Sequence, residues 1–194
     1  EDQHLVAALL RPGLAGATDG TLALLARLVP WVRRLFPGAR VRVRLDGGFA
    51  SPVVFDLLET LAVEYVVAMG ENPVLTRAAE PYLAQIRDDA TTAHETTKTY
   101  GECQYRSGSW PHDRRVIIKA EVTCLRGRSP IDNPRFVVTN LRQTPRWIYE
   151  HIYCARGEIE NRIKELKGGL HVDRTSCTRF WPNQLRVLLT AAAY

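Results

Sequence analysis

The sequence predicts an α/β protein in which helices cover a sheet and a mostly β segment separates the two parts of the core. Strand and helix patterns alternate over residues 1–73, which is typical of a sheet covered by helices. Residues 74–143 instead contain short runs of β-forming residues separated by Gly, Pro and Asp. The chain has 194 residues, of which 45% are hydrophobic and 24% charged. It can therefore bury a hydrophobic core of ordinary size.

The first part of the chain alternates between the two periodicities of regular structure. Apolar residues recur at helical spacing over residues 21–36, and Pro37 and Gly38 end that pattern. Strict alternation over residues 40–46 predicts a strand with one buried face. Ser51 is a typical N-cap, with a proline at the first helical position after it. The predicted order is a strand (residues 4–10), a helix (21–36), a strand (40–46), a helix (52–62) and a strand (64–69).

The rest of the chain divides into a β-rich stretch and a long helix. A helix is predicted over residues 73–89, and three β-rich runs follow it at residues 99–105, 115–124 and 135–140. Thr144 then caps a helix that runs to Lys167, where two glycines end it. These patterns predict three parts: a first core part (residues 1–73), a β-rich insertion (74–143) and a second core part with a C-terminal helix (144–194).

Composition narrows the class of partner. Residues 142–194 contain nine Lys and Arg against five Asp and Glu, and the whole chain carries a net charge of +5. Clustered cations suit a phosphate backbone, although a solvated surface has the same composition. The four cysteines form no C-x-x-C pair, which argues against a zinc ribbon and favours reduced thiols. No apolar run approaches the roughly 18 to 20 residues of a membrane span.

A polar stripe lies along the long helix that follows Thr144. At about 100° per residue, Tyr153, Arg156, Glu160 and Lys167 fall within about 60° of one another, beside the apolar side of the helix. A carboxylate that reaches a metal next to a sheet needs such a border position, which Glu160 has and the neighbouring glutamates lack. For Arg156 and Glu160 taken alone, a surface ion pair at i,i+4 explains the spacing equally well.

The spacing Y-x2-R-x3-E-x6-K of this stripe resembles the Y-R-E-K signature of bacterial insertion-sequence transposases of the DDE class. Residues 45–51 are similar to the block around the second catalytic Asp of these enzymes, which assigns that role to Asp46. Residues 173–176 and 179–184 also resemble these proteins, so the resemblance covers nearly the whole chain. Taken alone, Asp46 also fits an ordinary Asp-Gly turn.

The resemblance implies an RNase H-like core with a β insertion between Asp46 and Glu160, and the 113 residues between them leave room for it. It implies a DNA transposase that cleaves transposon ends and transfers strands to target DNA. Asp46 and Glu160 would be its catalytic acids and would ligate two Mg²⁺ (or Mn²⁺) ions, about 3.5 to 4 Å apart. The expected partners are the inverted repeats at the transposon ends, target DNA and a second copy in a synaptic complex. No membrane is expected, and the expected location is the bacterial cytoplasm, at the nucleoid.

The resemblance also implies DNA contacts at the element end. Arg156 and Lys167 suit phosphate, and Tyr153 can bond phosphate or stack on a base. Trp110 is a candidate for stacking on a flipped base, and packing in a hairpin tip or in the core is an equally weighted alternative.

The first catalytic Asp of the family has no match here, since Asp2 and Asp19 lie outside any similar block. We therefore expect that Asp, and one or more early strands, to precede residue 1. The chain alone is expected to fold without catalysing strand transfer. Two other functions remain open at this point: an RNase H-like nuclease that cuts without strand transfer, and a DNA-binding remnant without activity. The four-residue signature argues against the nuclease.

Overall fold

The computed structural model describes residues 4–16 and 18–194, with the backbone alone for residues 156–160. The chain divides into two compact units. One comprises residues 25–155, and the other comprises residues 1–24 together with residues 156–194.

The described residues form six α-helical segments and six strands. The helices are α1 (Thr21–Leu35), α2 (Pro52–Thr60), α3 (Pro73–Ala93), α4 (Pro145–Trp147), α5 (Gly157–Gly168) and α6 (Phe180–Ala193). The strands are β1 (Arg42–Leu45), β2 (Glu64–Met69), β3 (Thr97–Tyr105), β4 (Arg114–Thr123), β5 (Ile131–Asp132) and β6 (Arg135–Thr139). The helices predicted over residues 21–36 and 52–62 and the strand over residues 64–69 are confirmed, with small shifts at the helix ends.

One mixed sheet organises the larger unit. Its strand order is β1-β2-β6-β4-β3, and β5 pairs with β4. The pair β1 and β2 is parallel, and the other pairs are antiparallel. The strands of residues 74–143 therefore continue the same sheet as β1 and β2 and do not form a separate layer. Whether that segment corresponds to an insertion in an RNase H-like core stays a prediction.

The two faces of the sheet are covered by different elements. On one face, Phe55 of α2 packs against Tyr65 of β2, with ring centroids 5.7 Å apart. Helix α3 lies on the same face, where a Cβ added to Gly101 would fall 2.0 Å from the Tyr82 ring. This glycine allows the close approach of α3 to the sheet. On the other face, buried residues of the strands pack with residues 148–153, and this cluster contains Val66, Ile117, Val137, Leu141, Ile148 and Tyr149.

The long helix predicted from Thr144 to Lys167 is interrupted. Residues Ile148–Tyr153 form a π-helical stretch in which the Cys154 N–H donates to the Tyr149 carbonyl, and Cys154–Arg156 form a 3-10 turn before α5. A π-helical stretch inside an α-helix is often found at functional sites. The rotation of 100° per residue that placed Tyr153 on the polar stripe therefore does not hold through this segment.

The smaller unit contains the N-terminal residues, α5 and α6. The strand predicted over residues 4–10 is not formed, since these residues have no regular structure and pair with no strand of the sheet. The segment is instead tied to α6, because the Gln184 Oε1 atom accepts from the Leu10 N–H at 2.9 Å. Among the described residues, no helix combines the length and the apolar character required to cross a membrane.

Candidate active site

Asp46 follows β1 directly, at the edge of the sheet where both parallel strands end. Its half-buried side chain accepts a hydrogen bond from the Gly48 N–H at 3.0 Å and caps the 3-10 turn Gly47–Phe49. A Cβ added to Gly47 would lie 3.8 Å from the Ala68 carbonyl oxygen, so the turn packs against β2. Asp46 thus has the turn role considered from sequence. The same hydrogen bond fixes the carboxylate at a strand end, as a metal ligand also requires.

Arg44 connects β1 to the π-helical stretch. Its Nη1 atom donates to the Ile152 carbonyl oxygen at 2.7 Å. Arg44 pairs in register with Val66, a member of the buried cluster that packs with residues 148–153, so Arg44 lies on that face of the sheet. The end of the π-helical stretch is therefore held against β1, two residues before Asp46.

Tyr153 is the first residue of the predicted signature and ends the π-helical stretch. It is half-buried, its ring centroid lies 5.1 Å from that of Tyr149, and it packs against the buried cluster of that face. Part of the ring therefore serves packing. A contact between Tyr153 and DNA stays a prediction.

The other three signature residues lie in or next to α5. The side chains of Arg156 and Glu160 fall outside the described residues, so the DNA-binding role of Arg156 and the catalytic role of Glu160 stay predictions. Lys167 is exposed one residue before the end of α5. Its side chain lines an open groove with apolar residues of the same unit, among them Leu166 and Val172. No ion pair joins Lys167 to a carboxylate in the described part of the chain.

Trp110 is a core residue, which corrects its assignment as a DNA-stacking candidate. It is 6% exposed, and its ring packs edge-on against Phe55 at 5.1 Å and Tyr105 at 5.5 Å. These contacts lie on the face covered by α2, opposite to the face of Arg44. A base has no open ring surface to stack on. Sequence left the two roles balanced because it could not say which face of the sheet the hairpin would cover.

The buried Arg114 guanidinium lies 5.0 Å from the Trp110 ring and pairs with Glu59 and with the exposed Asp56. The Tyr65 hydroxyl donates to Glu59. The Arg114 side chain is 2% exposed and donates to Glu59 at 2.7 and 3.0 Å and to Asp56 at 3.1 Å. Burial raises the pKa of Glu59, but hydrogen bonds from Arg114 and Tyr65 outweigh burial and hold that pKa below its ordinary value. Burial and the neighbouring Glu59 carboxylate raise the pKa of Tyr65.

Two contacts described above were not predicted from the sequence: the contact of Arg44 with the π-helical stretch and the pairing of Glu59 with Arg114. Arg44 had a usable signal, because it lies two residues before Asp46 on the same alternating strand. The pairing of Glu59 with Arg114 had none, since 55 residues separate the two partners.

The predicted metal site depends on two carboxylates, those of Asp46 and Glu160. Asp46 offers a carboxylate, which is the type of oxygen ligand that Mg²⁺ and Mn²⁺ prefer. Over the residues with described side chains, no group of three or more His, Cys, Asp or Glu is placed to hold a metal ion. Glu160 would add a second carboxylate of the same type, and it belongs to the other compact unit. The donor chemistry fits divalent ions, and the convergence of the two acids stays a prediction.

Comparison with known proteins identifies one family. The sequence model described as "Transposase DDE domain group 1" matches residues 1–194, so the match includes Asp46 and every residue of the signature. No curated protein matches the chain.

Proposed function

The chain belongs to the family of transposase DDE domains of group 1, and we propose that it is the catalytic part of an insertion-sequence transposase. The reaction is metal-dependent cleavage at transposon ends followed by strand transfer into target DNA. Two copies would act together in a synaptic complex.

The observation that carries this proposal is the hydrogen bond from Arg44 to the Ile152 carbonyl. It joins the strand that ends just before Asp46 to Ile152, the residue before Tyr153. The Asp46 block and the first residue of the signature therefore belong to connected segments of the larger unit, although about a hundred residues separate them in sequence.

Each residue of the proposed site has a distinct task. Asp46 and Glu160 would hold Mg²⁺ or Mn²⁺, and two such ions supply Lewis-acid stabilisation of the attacking and leaving oxygens when bound. The Gly48 N–H keeps the Asp46 carboxylate oriented before metal arrives. Arg156 and Lys167 would contact the DNA backbone, and Tyr153 would complete the DNA contact at the element end.

We propose further that the parallel pair β1 and β2 belongs to an RNase H-like core, with residues 74–143 as its β insertion. The support is topological. Asp46 stands at the C-terminal end of a strand that pairs in parallel with its successor, and antiparallel strands extend the sheet only after that pair.

DNA binding tests the proposal with the chain as it stands. The probes are labelled duplexes taken from the two ends of the element that encodes it, with a scrambled duplex of equal length as comparison. We expect preference for the end duplexes. Lys167→Ala should weaken binding and lower the magnitude of the salt slope by about 1. Arg162→Ala is the matched control, because Arg162 is on the same helix and pairs with Glu165 at 2.8 Å.

Two results would contradict the proposal. The first is equal affinity for end and scrambled duplexes, or no binding at low salt. The second concerns Lys167 alone: a lower melting temperature of Lys167→Ala with unchanged DNA affinity would make the residue structural.

A further inference from the structure

A basic loop between β4 and β5 has no task in the site described so far. This tip loop, residues 124–130, reads Cys-Leu-Arg-Gly-Arg-Ser-Pro and contains two arginines and no carboxylate. The Arg128 N–H donates to the Leu125 carbonyl at 3.0 Å, and Gly127 has a φ of 75°, so the loop turns tightly. Both Arg126 and Arg128 are exposed. Among residues with described side chains, no carboxylate forms an ion pair with either of them.

The strand register places the tip loop at the Asp46 end of the sheet. Leu45 pairs with Val67, two residues before β2 ends at Met69, which pairs with Phe136. Phe136 pairs in turn with Ile118 of β4. The last residues of β1, β2 and β4 therefore point toward the same edge. Both Asp46 and the tip loop belong to the unit of residues 25–155, so this placement holds within one compact body.

The register also gives a distance. Asp46 is level with Ile117 of β4, and β4 continues from there to Thr123, which is six residues or roughly 20 Å at about 3.4 Å per residue. Three strand-to-strand steps separate β1 from β4 in the sheet, or roughly 14 Å sideways at about 4.8 Å per step. The tip loop thus begins roughly 20 to 25 Å from Asp46 and projects beyond the edge of the sheet.

The surface around the loop is concave, and arginine and hydroxyl side chains are part of its lining. An open cavity of about 780 Å³ lies between the loop and the end of α3, where Thr91 and His94 line it together with Arg126, Arg128 and Ser129. Arginine presents a planar fork of donors that matches phosphate oxygens, and hydroxyl groups add further donors. The acidic residue nearest in sequence to this end of α3 is Glu95, which is exposed.

We propose that the tip loop is a second DNA-contacting surface that grips the backbone of the duplex on which Asp46 acts. This inference rests on the proposed function, because DNA at Asp46 is what brings a duplex to this edge of the sheet. A separation of roughly 20 to 25 Å spans about six or seven base pairs at about 3.4 Å per step. The tip loop therefore contacts phosphates about that far from the scissile bond, without reading base sequence.

Duplex binding by fluorescence anisotropy over a salt series tests the inference. Each lost phosphate contact lowers the magnitude of the salt slope by about 0.9, which corresponds to about 8-fold in affinity at 0.1 M salt. The double variant Arg126→Ala/Arg128→Ala should therefore lose about 1.8 from the slope and tens-fold in affinity. Arg126→Lys/Arg128→Lys keeps the charges and should keep most of the slope.

The matched control is Arg106→Ala. Arg106 is 57% exposed and lies in the loop at the opposite end of β3 and β4, where it pairs with Asp113. Its removal should leave the salt slope unchanged. Hydroxyl-radical footprinting should show protection about six or seven base pairs from the element terminus, and the double alanine variant should lose that protection alone.

The outcomes separate this inference from the proposed function. A wild-type chain that binds DNA, with an unchanged slope and footprint in the double alanine variant, overturns the role of the tip loop and leaves the transposase assignment intact. A wild-type chain that binds no DNA at low salt overturns both. An equal loss of salt slope and affinity in Arg106→Ala would also overturn the inference, because the effect would then follow from the net charge of the chain and not from the tip loop.

Discussion

Replacing Glu59 by Gln should destabilise the larger unit strongly, although Glu59 lies far in sequence from every signature residue. Glu59 accepts two hydrogen bonds from Arg114 and one from the Tyr65 hydroxyl. The Arg114 side chain is 2% exposed, so loss of its main partner leaves a buried guanidinium that, among the described side chains, has Asp56 as its one remaining ion-pair partner. Removing one partner of a buried ion pair costs about 3 to 5 kcal/mol.

The expected loss for Glu59→Gln is therefore about 3 kcal/mol, the lower end of that range, because Asp56 remains. Chemical denaturation measures it, and the melting temperature should fall by roughly 6 to 12 °C. Asp56→Asn is the control. The Asp56 side chain is 53% exposed and accepts one hydrogen bond from Arg114, so Asp56→Asn should lower the stability by no more than about 1 kcal/mol. Equal losses in the two variants would refute the view that burial of Arg114 sets the cost.

The contact between Glu59 and Arg114 also makes the stability of the folded chain depend on pH. The pKa of Glu59 is lowered in the folded chain from its usual value near 4.5. The ionised form is therefore favoured by folding, and its stabilisation is present above about pH 4.5 and is lost as pH falls through the lowered pKa. Denaturation curves of the wild type between pH 7 and 3 should show this loss. Glu59→Gln should lack that part of the dependence, and an identical pH profile in both proteins would contradict the assignment.

The remaining predictions concern packing. Trp110→Ala should lower the free energy of unfolding by about 3 to 5 kcal/mol, because it removes a buried aromatic side chain. DNA affinity of the folded fraction should not change. A loss of affinity without a loss of stability would support the stacking role instead. Gly101→Ala should destabilise the chain by about 1 to 3 kcal/mol, because its Cβ would fall 2.0 Å from the Tyr82 ring. In the double variant Gly101→Ala/Tyr82→Leu, the smaller leucine side chain should relieve the clash and recover part of the lost stability. Equal stability of the single and double variants would argue against this clash.

Local patterns predicted much of the larger unit. The strand at residues 64–69 was located to the residue, because a run of apolar residues follows a clear helix end. Helix α2 begins where Ser51 and Pro52 predicted it, and α1 ends just before Pro37. These elements depend on caps, breakers and periodicity within a few residues, and such signals are present in a single sequence.

Features that depend on distant partners were not predictable. Residues 4–10 have a strand-like pattern, but a strand requires a neighbour, and none pairs with them in the described chain. The pairing of β2 with β6 joins residues about seventy positions apart, and no local pattern encodes it. The helical rotation used for the polar stripe failed between residues 148 and 156 because the π-helical and 3-10 turns change the angle per residue.

The candidate site divides in the same way. Asp46 was found from a short block and occupies a strand end, as the resemblance implied. For Trp110, sequence left DNA stacking and core packing equally weighted, and the structure favours core packing, because exposure depends on what packs against the hairpin.

Iron-directed cleavage of the chain tests whether Asp46 and Glu160 bind metal together, as we propose. Fe²⁺ takes the place of Mg²⁺, and ascorbate with peroxide then generates radicals that cut the backbone beside the bound ion. A shared metal site should give two cut zones, one near residue 46 and one near residue 160. Asp46→Asn should abolish both, Glu160→Gln should abolish both, and Glu165→Gln, on the same helix, should abolish neither. Cutting near residue 160 that persists in Asp46→Asn, or cutting at neither position in the wild type, would contradict a shared site.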